Sequence, residues 1–195
     1  MHIIRCIKIL VVCSFFLSGL VSGSEMNNEA SYDLLNKAVT LFEEGNYDQS
    51  KKIVDQYLSE NSENASALNL RGLILMNTGE YEDAKADFLN ALKYSDKKSM
   101  LYYNLGFNSF NHGIMDEADE YFSFARSDNY SSFDLLFYSG LVKYALGSYD
   151  EAIVFFQDAL VKNPDDSATW FNLGMSYEMV RKFDLAVKAY DNAIS

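Results

Sequence analysis

The chain has 195 residues, 49% hydrophobic and 15% aromatic, with 28 acidic against 16 basic side chains and a formal charge of −12. That apolar content is enough to bury a core and excludes a wholly disordered chain. The acidity, with no compensating stripe of Lys or Arg, excludes nucleic acid as a natural partner, because its phosphates would be repelled; the ordinary role of such charge is a solvated outer face.

Taken in order, residues 1–24 read as a secretory signal peptide. Arg5 and Lys8 form a short basic start, residues 9–21 an apolar run, and Ser22, Gly23 and Ser24 a small-residue cleavage site. A retained anchor needs roughly 20 apolar residues, and Ser14, Ser18 and Gly19 dilute a run already shorter than that. Lipid attachment at Cys13 is disfavoured by the branched Val12 before it. Cleavage before Ser24 or Glu25 would remove both cysteines, Cys6 and Cys13, and leave 14 basic side chains against 28 acidic ones. The mature chain would then have no membrane span, disulfide, thiol nucleophile or thiolate metal site. Residues 25–30 read as a short flexible linker.

From Ser31 the sequence repeats every 34 residues without insertion or deletion, with units starting at Ser31, Ala65, Ser99, Phe133 and Ser167. The eighth place is Ala38, Gly72, Gly106, Gly140 and Gly174; the twentieth is Ser50, Ala84, Ala118, Ala152 and Ala186. The twenty-fourth is Val54, Phe88, Phe122, Phe156 and Tyr190, and the twenty-seventh Tyr57, Ala91, Ala125, Ala159 and Ala193. Small residues at fixed places let two antiparallel helices approach, and the aromatics fill the space beside them. Trp170, Tyr102, Phe88, Phe122 and Phe156 are therefore expected in the core.

Each unit reads as helix, turn, helix. Gly45, Gly79, Gly113 and Gly147 occupy the fifteenth place, where a left-handed residue ends the first helix; the fifth unit has Arg181 there. Asp48, Glu82, Asp116, Asp150 and Asp184 follow at the start of the second helix, where exposed N–H groups favour negative charge. Tyr47, Tyr81, Tyr149 and Phe183 precede them and can staple the turn to the core.

In the last unit Trp170, Leu173, Gly174, Tyr177, Ala186, Tyr190 and Ala193 follow the spacing W-x2-L-G-x2-Y…A-x3-aromatic-x2-A, and Pro164 falls just past the second helix of the unit before. Over residues 31–195 the chain resembles the tetratricopeptide repeat (TPR) family. The resemblance implies an all-α fold, a right-handed α-solenoid of stacked antiparallel helix pairs divided into units 31–64, 65–98, 99–132, 133–166 and 167–195. The first unit, with Ser50, Val54 and Tyr57, reads as an atypical cap with a looser contact to the second. The last helix is expected to leave Leu185, Ala186, Tyr190, Ala193 and Ile194 uncovered, a face suited to self-association.

No catalytic constellation, cofactor site or metal site is legible. His112, the one histidine after residue 24, sits in a turn with no ligand spacing around it, and the glycines are explained by the repeat. Asn64-Ala65-Ser66 and Asn129-Tyr130-Ser131 match glycosylation acceptors, a triplet frequent by chance.

A partner would meet the concave side, lined by the first helices. The resemblance points to their second, fifth, sixth, ninth, twelfth and thirteenth places, none of which holds Lys or Arg. The ninth reads Val39, Leu73, Phe107, Leu141 and Met175, with Phe42, Met76, Phe110 and Tyr144 in the twelfth and Tyr103, Phe137 and Phe171 in the fifth. Asn36, Asn104 and Asn172 in the sixth could hydrogen-bond an extended backbone. Two alternatives stay open: the ninth-place row is an apolar binding stripe, or it packs between neighbouring first helices. Without basic groups, the family's clamp for a carboxylate-ended tail is not expected, and a helix or extended segment with apolar anchors fits better. The resulting expectation is an exported, non-enzymatic scaffold in the periplasm or outside the cell that binds a protein or peptide; the alternative is an assembly subunit joined through its last helix.

Overall fold

The computed structural model describes residues 28–127 and 130–194, and among these the chain forms ten helices and no strand. They pair as α1 (Asn28–Glu43) with α2 (Tyr47–Glu60), α3 (Ala65–Thr78) with α4 (Tyr81–Tyr94), and α5 (Lys98–His112) with α6 (Met115–Ser127). The last pairs are α7 (Phe133–Ala145) with α8 (Tyr149–Lys162) and α9 (Ser167–Met179) with α10 (Phe183–Ile194). The expected signal peptide lies outside the described residues, and α1 starts at Asn28, inside the stretch read as linker. No helix among the described residues is long and apolar enough to cross a membrane.

The turn between paired helices is the one the repeat demands. The four fifteenth-place glycines have φ between 78° and 88°, and Arg181 is the single non-glycine with positive φ among the described residues, at 61°. Three first helices, α3, α7 and α9, start on side-chain caps that the sequence reading did not assign. Asn64, Ser132 and Asp166 accept from the backbone N–H of Ala67, Leu135 and Thr169 at 2.9, 3.1 and 2.7 Å, each satisfying one of the donors a helix start leaves free. Asn64 also donates its amide to the Tyr57 hydroxyl, so that acceptor triplet is occupied by a structural role; Asn129 lies outside the described residues.

Inside each pair the eighth and twenty-fourth places meet. Phe88, Phe122 and Phe156 are fully buried, each against the glycine sixteen residues earlier. In the first unit both partners are exchanged for intermediate sizes, Ala38 against Val54, and both are fully buried. Two apolar clusters result, one running from α1 into α7 and one from α7 to α10, with Tyr138 packed against both.

The first unit is not loosely joined. Tyr57 is buried where other units have alanine, and Arg71 on α3 ties Asp55 of α2 to Asp87 of α4, with Nη1 to Asp55 at 3.0 Å and a two-pronged contact to Asp87 at 2.6 and 2.7 Å. At the far end the expectation holds in part: Leu185 and Ile194 are 40% and 86% exposed, whereas Ala186 is buried and Tyr190 half-buried; Val187, not singled out, is 58% exposed where Ile153 of the unit before is 6%.

Successive first helices touch one another along the array (α1 to α3, α3 to α5, α5 to α7, α7 to α9), while among the described residues second helices stand farther apart and meet only through long side chains, as at Lys85 with Glu117. The stack therefore curves with the first helices inside, and their free faces form one continuous concave surface.

Candidate functional site

That surface is built from the places singled out in the sequence, but packing consumes part of it. In the ninth place Leu73 and Phe107 are 7% and 6% exposed, whereas Val39, Leu141 and Met175 are half-buried. Phe107 is covered because Tyr138 projects from the next helix and sets its ring edge-on at 4.7 Å; such aromatic contacts stabilise beyond the area they bury. The row is thus divided: Leu73 and Phe107 belong to the stack, and the other three are half-buried, Val39 and Leu141 with one side against the apolar clusters.

Of the fifth-place aromatics, Tyr103 and Phe137 are stack residues too. Phe137 is buried and lies 6.1 Å from Phe156; Phe171 remains 41% exposed, its ring 5.6 Å from Tyr190. Phe110 and Tyr144 in the twelfth place are half-buried, Phe110 against Tyr138 at 5.3 Å and Tyr144 against Tyr149 at 5.3 Å. Burial raises the Tyr144 phenol above its ordinary value, assisted by the charge of nearby groups.

Two of the three sixth-place asparagines are already engaged within the fold, while Asn36 is exposed. Asn104 is 2% exposed and donates to the Asn69 carbonyl oxygen at 2.7 Å, locking α3 to α5. Asn172 is half-buried and donates back to the Ala168 carbonyl of its own helix at 2.7 Å. Both amides serve the fold before any partner arrives.

Away from the groove, charged side chains tie units together. Lys143 on α7 bridges Asp119 of α6 and Glu151 of α8 at 2.9 Å each, and Glu117 of α6 pairs with Lys85 of α4 and accepts from the Ser109 hydroxyl. Burial alone would raise the Glu117 carboxyl; its hydrogen bonds outweigh that and hold it below the ordinary glutamate value. Arg126 lies 4.5 Å from the centre of the Phe155 ring and donates to Ser139, joining α6 to α7 and α8. The signal for these ties is a charged residue on a first-helix face that packs, as at Arg71 and Lys143.

His112 stacks on Tyr81 at 5.1 Å and stands 3.5 Å from Glu82. No group of three or more His, Cys, Asp or Glu among the described residues could hold a metal ion.

This arrangement of helix pairs agrees with the comparisons to known proteins. A tetratricopeptide repeat family model matches residues 35–106 and 111–167, and a second of the same description matches 155–188. The chain belongs to the tetratricopeptide repeat family. It is 26% identical over 171 residues to the TPR repeat-containing protein MJ1428 of Methanocaldococcus jannaschii, a match spanning 85% of this chain and only a quarter of that relative's length. Among solved structures it resembles MamA (TM-score 0.74, 22% identity, 80% of this chain and 92% of that one). It also resembles YrrB, described as a TPR protein with an unusual peptide-binding site (TM-score 0.72, 24% identity, 86% and 87%), and pilF of Pseudomonas aeruginosa (TM-score 0.76, 18% identity, 86% and 76%).

Proposed function

We propose that this chain is a non-enzymatic scaffold that holds a protein or peptide partner along the concave face of its first helices. The observation that carries the reading is the division of the apolar row. After packing has taken Leu73 and Phe107, Val39, Phe110, Leu141, Tyr144 and Met175 at the same first-helix places are left only half-buried, and contiguous apolar groups that keep such exposure mark interaction sites. The peptide-binding site named for YrrB supports this use of the fold. Export to the cell envelope belongs to the same reading and rests on Arg5, Lys8 and the apolar run that follows them.

The test is a pull-down from the envelope fraction with the wild-type chain, Leu141→Asp with Met175→Asp, and Val154→Asp on the outer second helix as control. Proteins retained by the wild type and the control but lost from the groove variant carry the reading; an identical set on all three overturns it. Intact mass of the secreted species tests the leader.

A second reading, assembly through the end of α10, rests on the exposure of Val187 and Ile194. Sedimentation of the wild type beside Val187→Asp with Ile194→Asp decides it: a concentration-dependent oligomer abolished by the pair supports it, and a monomer throughout removes it.

A further inference from the structure

Neighbouring units meet through a recurring set of places: the seventh and eleventh of a first helix, against the twenty-first, twenty-fifth and twenty-eighth of the second helix before it. Arg71, a seventh place, reaches Asp55, a twenty-fifth, at 3.0 Å. Arg126, a twenty-eighth, donates to Ser139, a seventh, at 3.1 Å, and Lys143, an eleventh, meets Asp119, a twenty-first, at 2.9 Å. Gln157, a twenty-fifth, donates to the hydroxyl of Tyr177, an eleventh, at 3.0 Å. Where α9 covers α8, the apolar members of the second-helix half are buried, Ile153 at 6% and Leu160 at 8% exposure. α10 carries Val187, Asp191 and Ile194 at the same three places as Ile153, Gln157 and Leu160, and all three are exposed.

Such a face accepts a first helix, and the charges select which one. A carboxylate holds the twenty-fifth place in two of the five units, at Asp55 and Asp191, and a cation holds the seventh place in two, at Lys37 and Arg71. Arg71 and Asp55 are already joined within the chain. One cation and one carboxylate remain, Lys37 on α1 and Asp191 on α10, both exposed. Around Lys37 the half-buried Leu34 and Leu41 repeat, at the same places, the Leu68 and Leu75 that flank Arg71 on α3. Asp191 and Ile194 likewise repeat Asp55 and Leu58 of α2. Both halves of the joint between the first two units are thus present a second time, at opposite ends of an array in which each unit touches only its neighbours.

We propose that the chain associates head to tail, α1 of one copy docking on α10 of the next with Lys37 against Asp191 and Leu41 against Val187. The proposal rests on the second reading above and names the surface that α10 meets. The contact is heterologous, so it leaves a free head and a free tail and the copies add without closing into a two-fold dimer. The concave face of the first helices then runs on from copy to copy.

The experiment is sedimentation velocity over a concentration series on the full chain, as wild type, Lys37→Glu, Asp191→Lys and the two together, with folding checked by circular dichroism. Both positions are exposed, so the substitutions spare the fold. The wild type should grow beyond a dimer as concentration rises. Each single variant sets like charges opposite one another and should raise the dissociation constant about tenfold or more. The double variant restores an opposite pair at unchanged net charge and should return to within about threefold of the wild type. Association lost on Val187→Asp with Ile194→Asp but unmoved by Lys37→Glu overturns the docking of α1 and leaves assembly through α10 standing. A dimer that does not grow, or a double variant as weak as the singles, also overturns the head-to-tail joint. A monomer at every concentration, with the α10 face left to another protein or to further chain, overturns both.

Discussion

Gly106 and Phe122 are packed so closely that a β-carbon on the glycine would stand 2.5 Å from the ring. Phe122 is fully buried and has nowhere to turn. Gly106→Ala is therefore expected to destabilise the chain by about 1–3 kcal/mol, the usual penalty of overpacking. The first unit already contains the compensated form, Ala38 against Val54. Gly106→Ala combined with Phe122→Val should accordingly recover part of the loss, and thermal melts of the two single variants and the double variant measure that coupling.

Arg181 takes a left-handed conformation, φ 61°, at the place where the other four units have glycine. A side chain there costs about 1–2 kcal/mol in backbone energy, partly offset by the chain entropy glycine loses on folding. Arg181→Gly should raise the melting temperature, with a stabilisation of about 1 kcal/mol; denaturant titration followed by circular dichroism checks it.

Two carboxylates give opposite responses to pH. Glu117 is held below its ordinary value, so its stabilisation is full at neutral pH and is lost as pH falls through the lowered folded value. Asp134 is raised by its burial and by the charge of Asp166, so its charged form costs stability at neutral pH, and that cost is relieved as pH falls through the raised value. Glu117→Gln should lower Tm at neutral pH and lose its effect in acid, whereas Asp134→Asn should melt no lower than the wild type. Melts across a pH series test both signs.

Phe107 and Leu141 occupy the same place of adjacent units and are expected to answer differently to the same change. An unpaired carboxylate at Phe107, 6% exposed, should cost several kcal/mol. At half-buried Leu141 the cost should be much smaller. Comparison of Phe107→Asp and Leu141→Asp by thermal melting is sufficient.

The contrast shows where legibility in the sequence ended. The helix pairs, their turns and the pairing of Gly72 with Phe88 or Gly140 with Phe156 follow from a 34-residue register in which each place has one packing role. The burial of Phe107 depends instead on Tyr138, an aromatic in a sixth place that elsewhere often holds asparagine, as at Asn36, Asn104 and Asn172. A periodic reading averages over such an exchange. The ties from Arg71 to Asp55 and Asp87 were hidden for a related reason: they link three helices through side chains that depart from the repeat. Of the candidate site, the lack of basic groups at its places was legible, and which of its apolar residues the stack would bury was not.

The most direct measurement of the central claim is site-specific photo-crosslinking in the source cell. A photoreactive amino acid is placed at Leu141 or Tyr144 on the concave face and, as control, at Val154, which is 54% exposed on the second helix α8. A discrete protein adduct at the two groove positions, absent at Val154, is the result the account predicts. Adducts at Val154 with none at Leu141 and Tyr144 would contradict it.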